Sequence, residues 1–227
     1  MMGLVVLSGF IKGFVGFGLS LVLISVLLQA GYQPDQLLPI LVPLFVVLDI
    51  LLYVENRKHA SYDFKENFTL HPTTLMTLFL GLLTGTYLML SIDASFLKFI
   101  FGATVLVLLF FLVEKVHLHQ MRIPTEKENG AFGMVAGLMT GLFTINAMPT
   151  TLYLLYHQYP KKKYMGALVT FLLFSDVLLI AVYLFQDLFT YQGMMVSLEL
   201  FLLVLVGFGL GSWVRRYLSG SQFKAFV

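Results

Sequence analysis

Seven apolar stretches, separated by short polar ones, divide the chain: Gly3 to Leu28, Leu37 to Val54, Pro72 to Leu90, Phe96 to Val113, Gly130 to Tyr156, Tyr164 to Phe185 and Met194 to Val214. Each is about the 20 residues that a helix needs to cross a hydrocarbon core of roughly 30 Å. The pattern predicts membrane-crossing helices, with no alternating strands of the kind a transmembrane barrel requires. Two stretches depart from it. The first contains GFIKGFVGFG, Gly9 to Gly18, and the fifth reads GAFGMVAGLMTGLFTINAMPTTLYLLY, with four glycines, Asn146 and Pro149 in its first twenty residues. Proline removes a backbone donor and glycine loosens a helix. In hydrocarbon a freed backbone group costs several kcal/mol, so a broken segment is tolerated only inside protein or against a water-filled cavity. Both stretches are therefore expected to break, near Gly16-Phe17-Gly18 and near Thr144-Ile145-Asn146, with Gly141 and Pro149 as breakers around the second site.

Composition strengthens the membrane reading. Of 227 residues 59% are hydrophobic and 11% charged, against roughly 25% charged in soluble domains, and the mean hydropathy is +0.89. The fold class expected is an all-α polytopic protein, multi-pass in the cell (inner) membrane, with the lipid bilayer as its solvent. The N-terminus has neither a basic n-region nor an A-x-A-like cleavage site, so no removable signal peptide is read. The absence of cysteine removes disulfides, thiolate catalysis and cysteine metal sites.

The chain repeats itself. GFIKG (Gly9 to Gly13) matches GMVAG (Gly133 to Gly137), LDILL (Leu48 to Leu52) matches SDVLL (Ser175 to Leu179), GLLTGT (Gly81 to Thr86) matches GFGLGS (Gly207 to Ser212), and FLKF (Phe96 to Phe99) matches QFKAF (Gln222 to Phe226). The offsets are 124, 127, 126 and 126 positions. Residues 1–113 thus form a first repeat, 114–129 a cytoplasmic loop, and 130–227 a second repeat. The second repeat stops where the counterpart of Phe96 to Val113 would begin, so its last crossing is missing or truncated.

Cytoplasmic loops are enriched in Lys and Arg. Arg57, Lys58 and Lys65 follow the second segment, Lys115, Arg122 and Lys127 the fourth, Lys161 to Lys163 the fifth, and Arg215 and Arg216 the last. Basic residues thus flank the fifth stretch on both sides, which one simple crossing cannot accommodate. A re-entrant pair of half-helices from the cytoplasmic side removes the conflict. By the repeat, the first stretch is the same hairpin from the opposite face. Each half then holds a broken helix and three crossings, and the halves are inverted, a plan that recurs among secondary transporters. The alternative is a pair of full-length tilted helices, with Lys161 to Lys163 outside.

Half-helix N-termini inside a membrane present free N–H groups and partial positive charge, which favours anions. The residues around the two breaks are the candidate solute ligands: Gly16, Gly18 and Ser20 in the first, Gly141, Thr144, Asn146, Thr150 and Thr151 in the second. Lys12 adds an intramembrane cation, a functional candidate by default, with snorkelling to the interface as its plainer role. Asp49 and Asp176 occupy matched positions and can carry a proton in a coupled cycle. Asp176 is the more central, while Asp49, nearer the charged loop, can also cap a helix or snorkel. Lys98 and Lys224, at helix ends, read as interface anchors. Small and hydroxyl residues at any of these positions also serve close helix packing.

Enzymatic chemistry finds little support. His117 and His119 with Glu114 are a weak metal pattern, and no Gly-x-Ser-x-Gly, His-Glu-x-x-His or P-loop occurs. No catalytic residue, metal, cofactor or nucleic-acid partner is expected.

With these residues in view, the chain resembles the sulfite exporter TauE/SafE family, the TSUP permeases. The resemblance rests on GFIKGFVGFG and its echo GMVAGLMTGLFTINAMP, each opening one half of a duplicated chain. It implies transmembrane movement of small sulfur-containing or organic anions such as sulfite or sulfonates. The expected function is a secondary transporter working by alternating access, with proton coupling through Asp176 and Asp49. An uncoupled anion channel is the second reading, and a homo-oligomer is compatible with either.

Overall fold

The computed structural model describes residues 2–16, 18–56, 68–113, 124–157 and 161–217. Among these, the chain order is α1 (Met2–Val15), α2 (Leu19–Gln29), α3 (Pro34–Asn56), a 3-10 turn (Phe68–Leu70), α4 (Pro72–Ser91), α5 (Ala94–Val113), α6 (Glu126–Phe143), α7 (Ala147–Tyr156), α8 (Lys161–Phe185) and α9 (Tyr191–Tyr217). Among the described residues, four stretches are long and apolar enough to cross a membrane: Pro34–Glu55, Pro72–Ser91, Tyr164–Phe185 and Tyr191–Arg215. This is the all-α, polytopic membrane architecture that the hydropathy pattern predicts. Large apolar side chains such as Phe79, Leu80, Leu198, Leu202 and Val206 point outward, as lipid-facing positions do.

Local sequence explains the helix boundaries. Pro34 and Pro72 open α3 and α4, where a missing N–H costs nothing. Asp93 accepts from the amides of Ser95 (2.9 Å) and Phe96 (3.4 Å) to start α5. Thr125 and Glu128 form a reciprocal capping box on α6. That helix therefore begins at Glu126, inside the stretch 114–129 that the sequence reads as loop. Thr125→Ala is expected to lower stability by about 1 kcal/mol, read as a small fall in the unfolding temperature of the detergent-purified protein.

Both expected breaks are present. Between α1 and α2, Gly16 and Gly18 each have φ +94°, a left-handed conformation that glycine adopts without a Cβ penalty. Between α6 and α7, Thr144 takes φ 54°. Three of the four pieces beside the breaks are short; α6, with 18 residues, is longer. At 1.5 Å per residue, α1 and α2 are about 21 and 17 Å long and α7 about 15 Å.

The glycines of the two broken stretches do something other than break helices. α6 is continuous through Gly133, Gly137 and Gly141. A Cβ added at these positions would lie 2.3, 2.3 and 2.5 Å from the carbonyl oxygens of Thr74, Leu78 and Leu82 on α4. Reciprocally, Gly81 and Gly85 of α4 face the carbonyls of Met134 and Leu138 at 2.6 Å each. The first broken helix repeats the device. Gly9 and Gly13 abut Val204 and Phe208 of α9 at 2.3 and 2.2 Å, while Gly207 and Gly211 abut Val6 and Phe10 at 2.0 and 2.1 Å. These are small-residue seams of the kind that let membrane helices pack backbone to backbone. The reading of Gly141 as a breaker is thus corrected: it stands in a seam, and the break falls three residues later.

Because the numbers rise together along each seam, α6 runs parallel to α4 and α1 parallel to α9. The seams also cross between the halves, so that α1 packs on α9 and α6 on α4. One hydrophobic core, from Leu19 and Leu41 to Phe171 and Val204, joins them. The α2–α3 turn and the α8–α9 turn meet at one end of the bundle, lining a cavity of about 600 Å³ with Tyr32, Asp35, Asp187 and Thr190. Met89 near the end of α4 touches Tyr183 near the end of α8, placing the α4 terminus at that end too. At the other end, Arg215 of α9 pairs with Glu55 of α3 at 2.6 Å. Accordingly α1 runs away from the first end and α2 returns to it, whereas α6 approaches from the second end and α7 returns there.

Candidate functional site

The two breaks are joined by a chain of buried polar side chains. Lys12 lies one helical turn before the first break, its carbonyl accepting from the Gly16 amide at 2.8 Å. Its Nζ stands 2.6 Å from Asp49 Oδ1, and both side chains are shielded, at 7% and 1% exposure. The Phe45 ring lies beneath the ammonium, 5.7 Å from Nζ to centroid, within cation–π range. Asp49 of α3 and Asp176 of α8 then act on one another electrostatically, across the packed α3–α8 pair. From the far side, Asn146 donates its side-chain amide to Asp176 Oδ1 and to Ser175 Oγ, each at 2.6 Å. The order is α1, α3, α8, α7: one piece of each hairpin, linked through two long helices.

The two carboxylates are held differently. Asp176 has the Asn146 amide, whereas neither oxygen of Asp49 accepts a hydrogen bond of sound geometry from a described residue. The close ionic contact with Lys12 is therefore what compensates Asp49 for leaving water. An isolated carboxylate in a low-dielectric interior is strongly disfavoured, so this pairing decides whether Asp49 can stand where it does.

Asn146 is the N-cap of α7, yet its side chain makes no bond to the first turn. Gly18, the N-cap of α2, has no side chain to offer and makes none either. First-turn N–H groups lack intrahelical partners, so each short inner helix turns an uncapped, partly positive end toward the breaks. Pro149 suits the first turn of α7 for the same reason, having no N–H to leave idle. The whole run from Gly141 to Thr151 is buried.

The remaining site residues expected from sequence divide clearly. Ser20 is buried in the first turn of α2. Thr144 and Thr150 spend their hydroxyls on backbone, donating to Phe143 O and Asn146 O at 2.6 Å each. Thr151 accepts from the Tyr164 hydroxyl at 3.1 Å, which ties α7 to α8. Gly141 faces α4. Lys12, Asp49, Asp176 and Asn146 are thus brought into one network, and Thr151 and Gly141 serve helix contacts beside it. A larger cavity of about 860 Å³ between α5, α6 and α7 is walled by Phe99, Ile100, Val107, Val135 and Met139, a lining with little to hold an anion.

Comparison with known proteins settles the class. The family model described as sulfite exporter TauE/SafE matches residues 1–227, the whole chain. The chain belongs to the sulfite exporter TauE/SafE family. No curated protein and no solved structure matches it. TauE/SafE is a transporter family, not an enzyme family, and its description implies a membrane exporter of sulfite or a related anion.

Several polar residues of this TauE/SafE chain escape the sequence reading. Ser175 shares the Asn146 amide with Asp176. The only sign of it was a polar residue in SDVLL where the matched segment LDILL has leucine. Tyr153, whose hydroxyl donates to Asn129 Oδ1, braces α7 against α6, and Glu55 with Arg215 closes the second end. The last two pairs depend on contacts between separate helices and leave no local pattern. Lys98 lies near the start of α5 and is partly buried. Glu114, His117, His119 and Lys224, and the side chains of Lys161 to Lys163, lie outside the described residues.

Proposed function

We propose that the protein is a secondary transporter for a small anion, sulfite or a similar sulfur-containing or organic anion, in the cell (inner) membrane. The solute sits between the uncapped ends of α2 and α7. The halves act as inverted repeats, their hairpins re-entrant from opposite faces, and alternating access exchanges the side to which the breaks open. Coupling runs to protons through the buried Asp49–Asp176 pair. The observation that carries the reading is the buried chain Lys12–Asp49–Asp176–Asn146, which links both breaks through four helices. Intramembrane ionisable groups that face a bundle interior mark solute pathways and proton relays. The opposite approach of the two hairpins, and the Arg215–Glu55 pair at the basic end, favour the inverted arrangement with that end cytoplasmic.

Flux of labelled sulfite through reconstituted liposomes tests this. A transporter saturates and shows counterflow, in which unlabelled anion on one side accelerates labelled anion from the other. Flux that follows the gradient without exchange would instead mean a channel and would remove alternating access. In the same assay Asn146→Ala is expected to lower flux roughly tenfold or more, since it strips a hydrogen bond from a buried charged group. Wild-type flux in that variant would sink the role given to Asn146.

A further inference from the structure

We infer that the transported anion and Asp49 compete for the Lys12 ammonium, one proton entering on Asp49 with each monoanion bound. This rests on the transporter reading above and assigns its coupling to one residue. Three observations carry it. Lys12 is the one lysine or arginine among the described residues that is fully buried, and it stands a single turn from the first break, so an anion reaching the site meets this cation first. Asp49 occupies that cation now, at 2.6 Å, and has no hydrogen bond to replace it. Asp176 differs, because it also accepts from the Asn146 amide.

Charge conservation supplies the rest. A monoanion bound alone would add one negative charge to the buried cluster of Lys12, Asp49 and Asp176, which a low-dielectric interior resists. When a proton binds a carboxylate oxygen of Asp49, that side chain becomes neutral and releases the ammonium. The anion replaces it, and the net charge of the cluster is the same as before. Empty and loaded forms then carry the same charge across the membrane, so transport of a monoanion with one proton is electroneutral. No bond in the solute is made or broken, and the only covalent change is the proton on Asp49. The titratable groups that reach the Asp49–Asp176 pair are few. They are Lys12 from α1, and Asp176 itself and Tyr183 from α8. α2 carries no ionisable residue and α4 only the exposed Tyr87. On α9, Glu199 is exposed and Arg215 is engaged by Glu55. Lys98 stands near the start of α5.

The test uses the full chain in sealed liposomes with a pH-sensitive dye inside, given sulfite in one arm and methanesulfonate, a permanent monoanion, in the other. Wild-type protein is expected to admit about one proton per methanesulfonate, at a rate unmoved by an imposed membrane potential. Asp49→Asn should lose the proton signal and the accumulation driven by a pH gradient, falling at least tenfold. Asp176→Asn should retain a measurable proton signal. The double variant Lys12→Met with Asp49→Asn replaces the ion pair by neutral side chains and keeps the test open if a single variant fails to fold. It should show no anion-dependent proton movement. Counterflow without proton movement in the wild type, or an unchanged proton signal in Asp49→Asn, overturns the inference and leaves the transporter reading intact. Loss of the signal in Asp176→Asn alone overturns the assignment to Asp49. Absence of counterflow for either anion overturns the transporter reading and this inference with it.

Discussion

Lys12→Met is expected to destabilise the protein by roughly 3–5 kcal/mol, because breaking a buried ion pair from one side leaves the other charge uncompensated. The pair meets the conditions for an effect of that size. Both side chains are screened from solvent, the contact is 2.6 Å, and Asp49 has no second donor among the described residues. Asp176 beside it aggravates the loss, since removal of the ammonium leaves two neighbouring carboxyls without a cation. The double variant Lys12→Met with Asp49→Asn should recover a large part of the loss, as replacement of a whole buried pair by neutral residues is often tolerated. Thermal unfolding in detergent, followed by monodispersity on size exclusion, measures both. A single variant as stable as the wild type would mean that the pair does not form in the membrane protein, and equal losses in single and double variants would mean that Lys12 acts through packing.

The second large effect is expected in the seams. Gly207→Ala places a Cβ 2.0 Å from the Val6 carbonyl oxygen and 2.8 Å from the Phe10 amide. Backbone atoms cannot rotate aside, so α1 and α9 must separate. Overpacking of this kind costs about 1–3 kcal/mol, and here it also shifts the piece that carries Lys12. Gly209→Ala, two residues on in the same helix, meets nothing within 4 Å. It should be neutral or slightly stabilising, because alanine favours a helix over glycine. The pair of variants therefore separates close approach from helix propensity. If both melt alike, the seam is not what holds α1 to α9.

The residues behind these two effects are unevenly legible in sequence. Lys12 and Asp176 are conspicuous as ionisable residues in apolar runs. Asp49 lies nearer the charged loop, where snorkelling offers a plainer role. In the structure α3 continues two residues further, to Asn56, and α1 brings an ammonium to Asp49. The difference comes from a helix that is remote in sequence and adjacent in space. The seam glycines show the same limit. Their spacing of four was visible in Gly9 and Gly13, Gly133 and Gly137, but a glycine every fourth residue is compatible with a flexible helix or with a close neighbour. Only a neighbouring backbone distinguishes these, and the neighbours lie in the opposite half of the chain. Asn146 is legible because it lies among residues that interrupt a helix, though its pairing with Asp176 and Ser175 is not.

By itself the sequence determined the class of the protein, which stretches form its long helices, and the positions of both breaks. Each depends on a property of contiguous residues: the length of an apolar run against the thickness of a bilayer, and the freedom of Gly16 and Gly18 to take positive φ. The tertiary structure alone decided that α1 packs on α9 and α6 on α4, that the glycines are contact surfaces, and that Lys12, Asp49, Asp176 and Asn146 form one network. Inside a membrane-type interior, helices are matched by the fit of small residues and by the need of each buried charge for a partner. Those are relations between distant segments, and no window along the chain contains both members.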